Sequence, residues 1–166
     1  MLRTSLNASY IKRTFRPLYG WTQMTPQSCF LDSAWDRSTA IWPGMVMTKG
    51  VGENVTLISG TSQPPFGFSA LYVGGDGIDE PLQVGLNVFA VWVMSPDAQA
   101  EILAPAFDTT LTYTDTSGTE FLLYAGTTGA NKGKLVPSGT SGASTAPVAR
   151  LLKVNSATKI TIGGLR

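Results

Sequence analysis

Few side chains in this sequence are arranged for chemistry. Asp76, Asp79 and Glu80 fall in the run Gly74-Gly75-Asp76-Gly77-Ile78-Asp79-Glu80, and carboxylates this close suit proton transfer or a divalent cation. Their spacing is not that of an EF-hand loop, however, and a solvated turn accounts for them. Gly75-Asp76-Gly77 is no dinucleotide fingerprint, because a third glycine and an opening helix are both missing. Gly139–Ser144 lacks the Gly-x-Ser-x-Gly elbow of a serine hydrolase. The chain contains no histidine, which removes the commonest general base, the usual activator of Ser and Cys, and the commonest metal ligand. Cys29 is the single cysteine, so neither a multi-cysteine zinc site nor an intrachain disulfide is available, and a reducing cytosol suits the chain. No phosphate-binding loop with its lysine occurs. The expectation is a protein with no catalytic residues, no metal and no cofactor.

What remains is surface. Charge is segregated: residues 1–37 carry five basic and two acidic side chains, residues 38–120 nine acidic and only Lys49, and residues 121–166 six basic and none acidic. Within 1–37, aromatic and basic residues interleave as Tyr10, Lys12, Arg13, Phe15, Arg16, Tyr19 and Trp21. Pro17 and Pro26 discourage a long helix there. This is the composition of an extended arm, because aromatics and Arg combine large contact area with polar tips. Two readings stand for it: the arm lies on its own domain, or it lies on a neighbour. Stacking on single-stranded nucleic acid is a further use of such residues. A net charge of +1 and an acidic middle work against that use.

The elements that would position such an arm read as strands. Charged residues make up 14% of the chain against about 25% in typical domains. Gly, Pro, Ser and Thr are abundant, which favours turns and sheets over helices. Asn54–Ser59 alternates, with Val55 and Leu57 on one face. Leu86–Met94 is apolar on both faces, as a central strand covered on two sides requires, and it is far shorter than the roughly 18 residues of a membrane span. Thr39–Thr48 is organised around a Pro43-Gly44 turn, and Phe68–Val73 reads as a strand. Ser95-Pro96-Asp97 reads as the start of one short helix, limited to about two turns by Pro105. Further strands are expected at 107–114, 119–125, 148–154 and 159–162, with a hairpin turn at Asp115-Thr116-Ser117-Gly118. Gly126–Pro147 reads as a long loop with few apolar anchors. Many short strands with one helix predict a mostly β domain, a small barrel or sandwich, over 38–166, behind an arm over 1–37. The opening residues lack the apolar core of a secretory signal.

Three segments in order resemble a known family: Thr39-Ala40-Ile41-Trp42-Pro43-Gly44-Met45-Val46, then Pro65-Phe66-Gly67-Phe68, then Val91–Ala98 running into Glu101–Asp108. Together they resemble the head decoration, or cement, proteins of tailed bacteriophages, and Gly133-Lys134-Leu135 and Val148–Leu152 fit as well. The arm is not matched. The resemblance implies a small barrel or β-tulip-like body on the outer capsid surface, made in the host cytoplasm. It implies a homotrimer over local threefold positions that clamps neighbouring major capsid subunits, with no membrane, nucleic acid or small-molecule substrate involved. Another virion part built on β-barrels, such as a tail-tube or head–tail connector subunit, is the competing expectation.

With neither histidine nor a cysteine pair, chelator is expected to leave the melting temperature unchanged. Elemental analysis should find no stoichiometric metal. A bound metal whose removal lowers the melting temperature would refute this reading.

Overall fold

The computed structural model describes residues 14–18, 24–32, 35, 39–73, 88–114 and 120–165. Eleven strands appear among them: β1 (Phe15–Pro17), β2 (Met24–Leu31), β3 (Val46–Lys49), β4 (Asn54–Leu57), β5 (Pro65–Ser69), β6 (Val88–Met94), β7 (Gln99–Leu103), β8 (Phe121–Ala125), β9 (Leu135–Pro137), β10 (Ala149–Ser156) and β11 (Lys159–Gly163). They form a closed barrel of order β2-β4-β3-β5-β6 and a six-stranded sheet of order β1-β7-β11-β10-β8-β9. The fold is mostly β and contains a barrel, as the sequence predicts. Its second sheet is as large as the barrel.

Strand β6 pairs with β2 on one side and with β5 on the other, so the expected central strand is present. Phe89 and Val91 are fully enclosed, while Trp92 is only partly buried and packs on the edge of the core. At Gly67 on β5 an added Cβ would lie 2.5 Å from the Trp92 carbonyl oxygen, so only glycine lets β5 approach β6 this closely. In β4, Val55 and Leu57 alternate inward with partly exposed Asn54 and Thr56.

The expected helix at Ser95-Pro96-Asp97 is not formed. Residues 95–98 make a tight turn, closed by the Ala98 amide donating to the Ser95 carbonyl at 3.1 Å, and β7 follows at once. A Ser-Pro-Asp sequence serves the start of a turn as well as the start of a helix. The period of two in Ala98, Ala100 and Ile102, all buried, decides for strand. The described residues contain a single 3-10 turn at Gly129–Asn131 and no α-helix. The strand expected at 107–114 is also absent. Asp108 accepts hydrogen bonds from the Thr110 amide at 2.9 Å and hydroxyl at 2.7 Å, which bends the chain into a side-chain-stabilised turn. The Asp115–Gly118 hairpin turn lies outside the described residues.

Gly126–Pro147 is far better anchored than a long loop. It contains β9, whose Leu135 and Val136 are fully buried. Backbone groups and the Ser144 hydroxyl, which accepts from the Ala125 amide at 3.0 Å, add further contacts. The Gly133 carbonyl accepts from the Val46 amide at 2.7 Å, and the Ser144 amide donates to Ala125 at 2.7 Å.

Both sheets face one continuous apolar cluster that includes Ile41, Met47, Phe68 and Phe89 of the barrel region with Ile102, Leu123, Ile160 and Ile162 of the sheet. Phe89→Ala is expected to cost about 3–5 kcal/mol by chemical denaturation, the usual range for deleting an enclosed ring. Trp92→Ala should cost less, because that ring is partly solvated already.

Candidate functional site

Among the described residues, Cys29, Tyr113 and Asp108 are engaged in holding the fold. Burial raises the pKa of the Cys29 thiol, a push that nearby Lys49 only partly offsets, so the sulfur is held protonated and weakly nucleophilic. Tyr113 sits over the Phe107 ring in an edge-on contact and donates its hydroxyl to the Leu135 carbonyl at 2.9 Å. Burial, and the neighbouring Asp108 charge, push its pKa upward. Asp108 is the one acidic residue among the buried side chains of the described residues. Burial pushes its pKa up, but the Thr110 hydrogen bonds, with help from Asn131 and Lys134, outweigh this and hold it below the ordinary value. No group of three potential metal ligands occurs among the described residues. The carboxylates at 76, 79 and 80 lie outside those residues.

The predicted arm residues divide. Phe15 is a core residue: it belongs to β1, pairs with Ile102 of β7, and stacks on Phe68 of the barrel at 5.5 Å between ring centroids. Thr14, beside it, is buried and donates its hydroxyl to the Pro43 carbonyl. Arg16 is exposed and lies opposite Glu101, whose carboxylate also meets Lys159 at 3.5 Å. Tyr10, Lys12, Arg13, Tyr19 and Trp21 lie outside the described residues. Within the expected 1–37 arm, β1 and β2 are thus strands of the sheet and the barrel. What could have signalled this is Phe15 itself, followed at once by Arg16-Pro17: an apolar residue between polar ones is the pattern of a short edge strand.

Among the described residues, two large apolar side chains that sequence reasoning passed over are exposed. Phe30 is 45% exposed on β2, and Val51 is 90% exposed in the turn between β3 and β4. The two are close, because the Phe30 amide donates to Glu53 in that turn at 3.1 Å. In the same region, Lys49 sits over the Phe66 ring at 4.7 Å from its centroid. Elsewhere a cavity of about 180 Å³, lined by Phe107, Leu111, Tyr113, Val154 and Ile160, is large enough for one apolar side chain. Neither region brings together groups that would bind or transform a small polar substrate.

A closed barrel sharing its core with a second sheet, with Cys29, Tyr113 and Asp108 each engaged in the fold, has the architecture of a structural β protein. The chain matches the family described as phage cement protein over residues 1–166, and it belongs to that family. It is a structural component of the virion that decorates the capsid. Its fold is similar to that of a chain in a solved structure titled the capsid of Myoviridae phage XM1. The TM-score is 0.59 at 10% identity, with 88% of this chain and 86% of that chain covered. No curated protein matches the sequence.

Asp108 carries a pH prediction. Its folded pKa is lowered, so it contributes stability above its unfolded value, about 3.9 for Asp, and loses that contribution as pH falls through the folded value. Asp108→Asn is expected to flatten the acid limb of a melting-temperature profile. An unchanged limb would mean that the Thr110 bonds are not what holds the carboxylate charged.

Proposed function

We propose that this protein sits on the outer face of the capsid as a homotrimer, bridging neighbouring major capsid subunits and performing no catalysis. The observation that carries this reading is the pairing of membership in the cement family with a body that leaves Phe30 and Val51 exposed. A protein that holds a shell together must offer a fixed surface rather than a pocket. One core shared by both sheets supplies such a surface. Cyclic closure is common among protein oligomers and suits a threefold junction.

The segment preceding Thr14, with Tyr10, Lys12 and Arg13, is the part of the arm we assign to the shell, together with Arg16, Tyr19 and Trp21. Phe15 is excluded, because its ring is enclosed in the core.

Purified protein added to shells that lack it should appear in a reconstruction as outer density at local threefold positions. Twofold or isolated density would reject the trimer, and inner density would reject the placement. Removal of residues 1–13 leaves β1 intact, so the shortened chain should melt as the full chain does yet bind shells more weakly. Unchanged binding would end the arm assignment.

A further inference from the structure

We infer that the outer edge of β2, residues 24–28, is an attachment site where an extended segment of the major capsid subunit adds as a strand, with Phe30 and Val51 closing over it. This rests on the proposed shell-binding function and names the surface that performs it.

Strand β2 is longer than its partner across the barrel seam. It pairs with β6 along its whole length, from Met24 opposite Met94 to Phe30 opposite Val88. It meets β4 only at Phe30 and Leu31. The reason is local: β4 begins at Asn54, directly after the turn closed by the Gly50 amide donating to the Asn54 carbonyl at 2.8 Å. No β4 backbone therefore lies beside residues 24–28. Thr25, Pro26, Gln27 and Ser28 are all exposed, which leaves both faces of the strand open there.

The direction of the backbone groups follows from two hydrogen bonds. The Phe30 amide points across the seam to Glu53, so Ser28 and Pro26, two and four residues earlier, turn their backbone groups to the same side. Ala90, opposite Ser28, gives its carbonyl to the Ala70 amide at 2.9 Å on its far side, so Ser28 and Ala90 exchange no bond. Ser28 thus offers a donor and an acceptor on the open edge, and Pro26 offers an acceptor. Pro26 is tolerated because its missing N–H would have pointed outward.

The two outer strands of the described six-stranded sheet are closed to such pairing. At one end of the six-stranded sheet, β1 is three residues long and carries Arg16 and Pro17. At the other, β9 is covered by the Ala106–Asp108 segment, with the Leu135 amide donating to Ala106 at 3.0 Å and its carbonyl accepting from Asp108 at 3.1 Å. Edge strands are normally protected by shortness, charge or cover. From Met24 to Leu31, β2 carries no charge, and it is long and open.

The occupant is a foreign strand rather than a second copy. Pairing two β2 edges antiparallel over residues 24–28 centres the overlap on Pro26. Two residues without donors would then face each other. A segment with ordinary amides opposite Pro26 keeps one bond there and both at Ser28.

The test uses the full-length protein, its Ser28→Pro variant and shells that lack the protein. Ser28→Pro removes the outward donor and touches no bond of the β2–β6 ladder. It should melt like the parent and bind shells about tenfold more weakly, the effect of one lost main-chain hydrogen bond with its partner left unpaired. In the parent, exchange of the Ser28 amide should slow on shells and stay fast in free protein. Full binding by a folded Ser28→Pro variant overturns the proposal. If that variant melts early, the parent's Ser28 exchange on shells decides, and no slowing overturns it. Slow Ser28 exchange in free, self-associated protein would assign the edge to a second copy and overturn it equally. In all of these cases the parent still binds shells. If the parent itself does not bind, the shell-binding function fails and the proposal falls with it.

Discussion

The chain crosses from the barrel to the six-stranded sheet at Ser95–Ala98 with no slack, and the positions of both sheets depend on that crossing. Gly164 lies so close beneath it that an added Cβ would sit 2.0 Å from the Ser95 carbonyl oxygen. The Gly164 amide donates to Ala98 at 3.1 Å. Arg150 then ties the two together, its Nε donating to Gly164 at 3.0 Å and its terminal nitrogen reaching Pro96 at 3.4 Å. With β6 and β7 held in this way, β1 can lie beside β7 and stack Phe15 on Phe68 of the barrel. Gly44 leaves room for that packing, since a Cβ there would stand 3.3 Å from both Phe15 and Ile102. The single core and the tight crossing occur together, with residues of both sheets in one cluster.

Strand character was legible in the alternation of Val55 and Leu57 and in the unbroken apolar run Phe89–Val93. It was misread beside the turns at Ser95 and Asp108. Asp108 and Ser95 both belong to motifs whose local hydrogen bonding suits more than one structure, and only their tertiary neighbours decide among them. The Gly126–Pro147 segment looked unanchored because it has only the short apolar pair Leu135 and Val136, and much of the rest is held by backbone groups, such as Gly133 to Val46, which leave no mark on composition. The arm illustrates a third limit. Aromatic and basic residues mark an interface by type, yet Phe15 and Arg16 are chemically alike in that respect, and only strand alternation sends one into the core and the other into solvent. The exposed pair Phe30 and Val51 was illegible for a further reason. Phe30 sits in an apolar run with Cys29 and Leu31 that does not say which of them faces outward, and Val51 is a lone apolar residue in a turn.

The chemistry of this protein is therefore carried by shape and by backbone. Cys29, Tyr113 and Asp108 each have a perturbed proton affinity, a property often associated with reactive centres. Here each has a packing cause: desolvation for the thiol and phenol, and hydrogen bonds from Thr110 for the carboxylate. Tyr113 lines the cavity beside Phe107 and Leu111, but its hydroxyl is spent on the Leu135 carbonyl. The same residues that would suggest a catalyst in isolation are, in their setting, fastenings.

The linkerless join has a mechanical consequence. Two β units connected by a flexible tether would pivot, and a pull on one would reach the other only after the tether straightened. Here a pull on the barrel passes into the sheet through side chains packed at solid-like density and through the Arg150 bonds at the crossing. The molecule is thus built as a stiff strut, able to transmit strain between its two ends without first deforming.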